Sequence, residues 1–456
     1  MAKRLFVLTL ALVIGCVFLV RLGTDDDAGS GVGKTLIRNA SMVLTMDPAL
    51  GTLENADVLI DGDRIAAVGP GLQAAGAKVV DGRNKIVMPG FVDLHTHLWQ
   101  SLIRGCATDK ELNGWLGGCV LPLGTSPVDG ADAYAGARLS TLDAISTGVT
   151  TVTDWSHAFN ADFARGNLRA LTDSGQRFVF SFGAGKDPWK ADEARRLKKD
   201  VIDRNPLAHM MIGTHPANWN VAGVAASQRL ADELGVPMNV HLLESPADPA
   251  TEQMAVLRQA GALRPGLLAN HVVHTTDAEL DELAAHDVRV AHNPLSNMRL
   301  ASGIARVPDM KARNIKVGLG LDGGTNDTSD MFNNMRVAVG LQRAQSTDPA
   351  RYPTPSDVLR MATLGGAEVL GLEKEIGSLT PGKKADLQVI DTQALNFAPK
   401  VDWPSQLVFN TQPVNVQWVF VNGVALKKNG KVVGDTERVV ADAQAAADRV
   451  RKYLGR

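Results

Sequence analysis

Between residues 90 and 372 short apolar runs alternate with amphipathic stretches of helical period. The runs are "FVDLHTH", "TTVTDW", "RFVFSF", "MMIGTH", "PMNVHLLE", "LLANHVV", "VRVAHN" and "KVGLGLDGG". Among them lie "AASQRLADELG", "TDAELDELAAHD" and "MFNNMRVAVGLQRAQ", with apolar residues on one helical face. Eight strands interleaved with helices over about 250 residues predict an α/β protein with a (β/α)₈ TIM barrel. In such barrels, active sites gather at the C-terminal ends of the strands.

The flanks follow another pattern. "KTLIRNASMVLTM" and "ADVLIDGDRIAAVGP" are short strand patterns with D-G and G-P turns, and "KKADLQVIDT" and "VQWVFVNGVALKKNGKVVG" repeat the style near the end. They predict a small β-sandwich built from both chain ends. "DTERVVADAQAAADRVRKYLGR" predicts a polar-faced helix on the barrel exterior. The expected units are therefore residues 34–89 and 373–434 for the sandwich, 90–372 for the barrel and 435–456 for the helix.

Residues 1–33 differ from everything after them. "MAKR" precedes the apolar run "LFVLTLALVIGCVFLV", which is followed by "RLGTDDDAGSGVG". That order is the layout of a signal peptide or short anchor. The run is slightly short for a span of about 17–25 residues, and no A-x-A cleavage site follows it. "VIGC" is similar to a lipoprotein box, but apolar residues continue past Cys16. The expectation is an uncleaved hydrophobic anchor, with the body on the extracytoplasmic, periplasmic side and membrane contact through this segment alone.

Composition narrows the function classes. The 456 residues are 45% apolar and 21% charged with a net charge of −2, as in an ordinary globular protein. No basic stripe supports nucleic-acid binding. Three cysteines make neither a disulfide framework nor a zinc-finger spacing. An exported body would permit a Cys106–Cys119 bond, yet two buried free thiols are the expectation.

The chemistry lies at the strand ends. His95 and His97 alternate along one strand and so face the same way. His241, His215 and Asp322 close other strands, and "NHVVH" offers either His271 or His274. Three imidazoles and a carboxylate suit one divalent ion per chain, Zn²⁺ or Fe²⁺, with a position left for water, whose pKa the ion lowers to about 7. Glu244, three residues past His241, is placed to shuttle protons to a substrate while Asp322 takes one from the water.

The segments "PGFVDLHTHL", "HLLES", "NHVVHTTDAEL", "AHNPLSNMRLASGIA", "GLGLDGGTNDTSDMF" and "GSLTPGKKADLQVID" together resemble the amidohydrolase superfamily, over residues 34–434. The branch they are most similar to is the mononuclear cytosine deaminase, triazine hydrolase and adenosylhomocysteine deaminase group. The resemblance implies His95, His97, His241 and Asp322 as ligands, with Asp322 also the general base. It also implies Glu244 as proton donor to a ring nitrogen, and His271, not His274, as the group that orients the attacking hydroxide. Binuclear members carry a bridging lysine at the end of the fourth strand; here that strand reads "MIGTHPANWN", with His215, so one metal is expected.

Two departures bear on substrate. Where adenosylhomocysteine deaminases carry a ribose-binding acid this chain has "VLPLGTSP" with Gly124, and where they carry an arginine it has "FSFG" with Phe182. A nucleoside with an anionic amino-acid tail fits poorly. A flat, nearly neutral amino-heterocycle fits better, lined by Trp99, Gln100, Trp155, His157 and His215. The expected activity is an aminohydrolase releasing ammonia from such a small molecule. Displacement of chloride or alkylamine, or opening of a cyclic amide, would use the same centre, and a scaffold that has kept the fold without catalysis is the non-enzymatic alternative. The resemblance also implies a homo-oligomer.

Overall fold

The computed structural model describes residues 33–323 and 329–455. Eight parallel strands pair strictly in chain order: Phe91–Thr96, Val149–Ser156, Arg177–Gly183, Ala208–Thr214, Met238–Leu242, Leu268–His271, Arg289–His292 and Val317–Leu319. These are the eight runs read from the sequence. The first and last strands are bridged instead of laddered. Oδ1 of Asp93 accepts from the amide of Leu321 at 2.9 Å, and the carbonyl of His95 accepts from the amide of Asp322 at 2.7 Å. The result is a nearly closed barrel whose seam carries Asp322 to the end of the first strand.

Local chemistry sets the helix limits. Thr276 and Glu279 form a reciprocal capping box at the start of Asp277–Ala285. Gly175 and Gly235, both in the left-handed region, stop Ala161–Ser174 and Val221–Leu234. The apolar faces pack onto a continuous buried cluster that includes Phe178, Phe180, Ile212, Val240 and Phe332.

Strands from both chain ends form a second, separate sheet. Lys85–Pro89 pairs antiparallel with Leu387–Asp391, joining five N-terminal strands to four C-terminal ones in one nine-stranded hydrogen-bonded network. The expected sandwich is thus refined to a single connected sheet around its own apolar cluster of Ile37, Val58, Val87, Val389 and Trp418. A buried ion pair, Arg177 Nε to Asp386 Oδ2 at 2.9 Å, ties this sheet to the third barrel strand. The C-terminal helix, Thr436–Tyr453, lays Ala443, Ala446 and Val450 against Leu102, Ile103 and Val120, covering the segment after the first barrel strand.

Two expectations are corrected. Cys106 and Cys119 are joined by a disulfide and are not free thiols; both sit in one apolar cluster, which brings the two turns of that segment together. The anchored, extracytoplasmic location is also withdrawn. No helix among the described residues is long and apolar enough to cross a membrane, and the run at residues 5–20 lies outside the described residues.

Candidate metal centre and active site

His95 is fully buried at the end of the first strand, and His97 follows one residue past it. His97 is oriented by its own second nitrogen: Nδ1 donates to the carbonyl of Trp155 at 2.7 Å, which aims Nε2 at the barrel axis. There it meets Nε2 of His241 at 3.3 Å. Oδ1 of Asp322 lies 3.5 Å from Nε2 of His95 and 3.5 Å from Nε2 of His97. His95, His97 and His241 form one group with ligand atoms within 4.8 Å of one another, and His95, His271 and Asp322 form another.

These residues fit a cation. Both ring nitrogens of His95 are buried with no hydrogen-bond partner among the described residues. An unpaired buried polar atom costs about 1–3 kcal/mol, and several imidazole lone pairs facing one another repel. Burial, with further loss from neighbouring imidazoles, holds His95 and His241 well below the ordinary histidine range. Burial also lowers His97, against the opposing pull of Asp322. Neutral imidazoles and a carboxylate are the protonation states in which such groups bind a divalent metal.

The backbone is shaped for this convergence. His271 and Asp322 both adopt left-handed φ, at 73° and 63°, as do Leu243 and Val272. For a β-branched residue such as Val272 this is a true outlier, and such residues cost of order 1–3 kcal/mol each. Gly320 has no room for a side chain: a Cβ there would lie 2.2 Å from Oδ1 of Asn293 and 3.0 Å from Cβ of His95.

Glu244 sits in the loop after the fifth strand and is 4% exposed. Its amide donates to Asp248 Oδ2 at 2.8 Å, and its Oε2 is 3.4 Å from Nε2 of His271. Burial, reinforced by Asp322 and Asp248, pushes its carboxyl well above the usual range, the direction that favours the protonated form a proton donor needs. His271, fully buried, donates from Nδ1 to Oδ1 of Asn297 at 2.8 Å. His274 turns away and donates to the carbonyl of Ser302, whereas His271 lies beside His95 and Asp322.

The expected pocket residues gather on the opposite side. His215 stacks on His241 at 4.7 Å between ring centroids and is exposed at the barrel mouth. Trp155 is 3% exposed, packed against His215 and His241 at 4.9 and 5.0 Å. Gly213 makes its space, since a Cβ there would meet the indole at 2.8 Å. Trp99 is 1% exposed and packs edge-on to Phe159 and Phe163; it reaches the site through its N–H, which donates to Nδ1 of His157. Gln100 is buried beneath Gly323, whose Cβ would fall 1.8 Å from its Oε1.

Some contributors were not anticipated from the sequence. Asp93 accepts from the amides of His95 and Leu321. Asp154 accepts from the amide of Leu98 and from Asn167. Asn297 holds His271. Asp93 lies on the same strand face as His95 and His97 by alternation, which was a usable signal; the others depend on strands meeting across the barrel.

A parallel barrel with this centre at its strand ends is the architecture of a metal-dependent hydrolase, and the matches that follow make it one acting on carbon–nitrogen bonds. Residues 86–426 match the model of the Amidohydrolase family, and the chain belongs to that family. It is 32% identical over 445 residues to a protein of Methanosarcina barkeri named 5'-deoxyadenosine deaminase, covering 91% of this chain and 98% of that one. It is 34% identical over 440 residues to a Pelotomaculum thermopropionicum protein named 5-methylthioadenosine/S-adenosylhomocysteine deaminase, covering 92% and 99%. Among solved structures, an adenosine deaminase from Xanthomonas campestris with bound zinc superposes with a TM-score of 0.84 at 29% identity, covering 92% of this chain and 99% of that one.

Proposed function

We propose that the protein is a mononuclear, zinc-dependent deaminase of a 6-aminopurine nucleoside or similar amino-heterocycle without an anionic tail. One observation carries the reading: a buried Glu244 stands against His271 at the rim of a four-donor cluster made by His95, His97, His241 and Asp322. The ion held there supplies Lewis acidity that makes hydroxide available near neutral pH. Zinc is favoured by the donor set and by the zinc in the Xanthomonas enzyme. His215 in place of a lysine at the end of the fourth strand supports a single ion.

The chain's own residues divide the proton work. Asp322 takes the proton of the attacking water, and Ser296, which donates to its Oδ2 at 2.6 Å, steadies it. Glu244 donates its proton to the ring nitrogen beside the reacting carbon, takes up the proton left on the added hydroxyl as the carbonyl forms and passes it to the departing amine; the proton held by Asp322 then returns to Glu244. His271, fixed by Asn297, orients the attacking oxygen and stabilises the charge that develops. The aminopurine class follows from the names of the relatives. The preference for an uncharged tail rests on Gly124, which brings no carboxylate, and on Phe182, which is buried and brings no cation. The domain limits at residues 34–89, 90–372, 373–434 and 435–456 form part of the same proposal.

An ammonia-release screen of zinc-loaded protein tests it, using adenosine, 5'-deoxyadenosine, S-adenosylhomocysteine, cytosine and melamine. Turnover of the uncharged adenosines well above S-adenosylhomocysteine is expected. Release of chloride or alkylamine from a chloro- or alkylamino-triazine assayed alongside, with no ammonia from the five compounds, would replace deamination with displacement of another leaving group. Full zinc occupancy with no turnover of any of these compounds would favour the scaffold.

A further inference from the structure

The Trp99 indole is 1% exposed, so its N–H needs an acceptor within the protein. It finds one in Nδ1 of His157, 3.0 Å away. An imidazole nitrogen that accepts a hydrogen bond carries no proton, so the neutral ring bears its proton on Nε2. The opposite tautomer would set two N–H groups against each other and strand a buried donor. Trp99 itself is clamped by Phe159 and Phe163, at 5.4 and 5.7 Å between centroids, so this selection is made by packed side chains.

The His157 ring lies beside the histidine cluster. His157 follows the second strand, Val149–Ser156, directly. It is half-buried, and its ring centroid lies 4.7 Å from that of His97 and 5.3 Å from that of Trp155. Among the described residues no protein group hydrogen-bonds Nε2 of His157. His157 adjoins the cluster from the His97 side, whereas Glu244 adjoins it from the His271 side.

From this geometry we propose that His157 is a specificity-determining hydrogen-bond donor, its Nε2–H selected by Trp99 to pair with an unprotonated nitrogen of the substrate. That nitrogen belongs to the edge of the heterocycle away from the one Glu244 protonates. A fused two-ring amino-heterocycle has acceptors on both edges and satisfies both groups, so the site discriminates against analogues in which that nitrogen is CH. This deepens the deaminase reading and rests on it.

The test compares a turned-over adenosine with its 3-deaza and 7-deaza analogues in wild type, His157→Phe, His157→Gln and Trp99→Phe, each checked for zinc content and circular dichroism. Wild type should lose at least about tenfold in kcat/KM on one of the two analogues. His157→Phe should lose a similar factor on the parent and bring that parent-to-analogue ratio to within about twofold. His157→Gln, which keeps an N–H donor, should recover part of the discrimination. Histidine-selective ¹⁵N NMR should show His157 protonated at Nε2 in wild type and a mixture of tautomers in Trp99→Phe. An unchanged analogue ratio in His157→Phe, or His157 protonated at Nδ1 in wild type, would overturn the proposal. Wild-type protein inactive on every aminopurine overturns the deaminase reading and the substrate pairing with it, and the NMR result then judges the Trp99–His157 selection alone.

Discussion

Nδ1 of His271 donates to Oδ1 of Asn297 across 2.8 Å, in a pocket where His271 is fully buried. That bond decides which nitrogen faces Glu244. Asn297→Leu should therefore lower kcat by about 10- to 100-fold, the usual loss when a group orienting an active-site histidine is removed. Zinc content should not change. Asn297→Asp, which still accepts the proton, should recover most of the rate. A kcat within about twofold of wild type in Asn297→Leu would show that the ring is held by something else.

Glu244→Gln keeps the size and the backbone N–H hydrogen bond to Asp248 but cannot cycle a proton. Turnover should fall by about 10²–10⁴. Metal content by atomic absorption should stay at one per chain. Near-normal turnover in this variant would remove the proton-shuttle role.

Metal removal should destabilise the folded chain, because the donors are pre-gathered and repel one another when unbound. Dialysis against a strong chelator should lower Tm, and restoring zinc at a hundredfold excess over Kd should return about 2.7 kcal/mol. His241→Ala removes one donor from the group with His95 and His97 and should leave sub-stoichiometric zinc. A Tm indifferent to chelator, with full activity, would contradict the metal centre.

Asp154 is buried beneath the segment after the first strand, and burial raises its carboxyl to about 7 despite hydrogen bonds from Leu98 and Asn167. An unfolded aspartate titrates near 4, so the folded state binds this proton more tightly. Stability from this group is present below about pH 4 and is lost as pH rises toward 7, by up to about 1.4 kcal/mol for each pH unit. Asp154→Asn should remove that slope. Urea unfolding of both proteins from pH 5 to 7.5 should show wild type losing ground to the variant as pH rises; a constant difference would mean the carboxyl is already ionised.

The sequence alone carried the eight barrel strands, because each is an apolar run bounded by turn residues, and period and boundaries are local properties. It also carried the pairing of His95 with His97, which follows from strand alternation. The other members of the cluster, His241 and Asp322, were legible through segment resemblance and their places at strand ends. Tertiary structure decided what depends on distant chain segments meeting. The Asp93–Leu321 bridge that seats Asp322, the Trp155 carbonyl that aims His97, and the choice of His271 over His274 all arise as the barrel closes. So does the Cys106–Cys119 bond, since spacing says nothing of whether an intervening segment folds back on itself. Side-chain type is written residue by residue, but the direction in which a nitrogen points is set by whatever packs behind it.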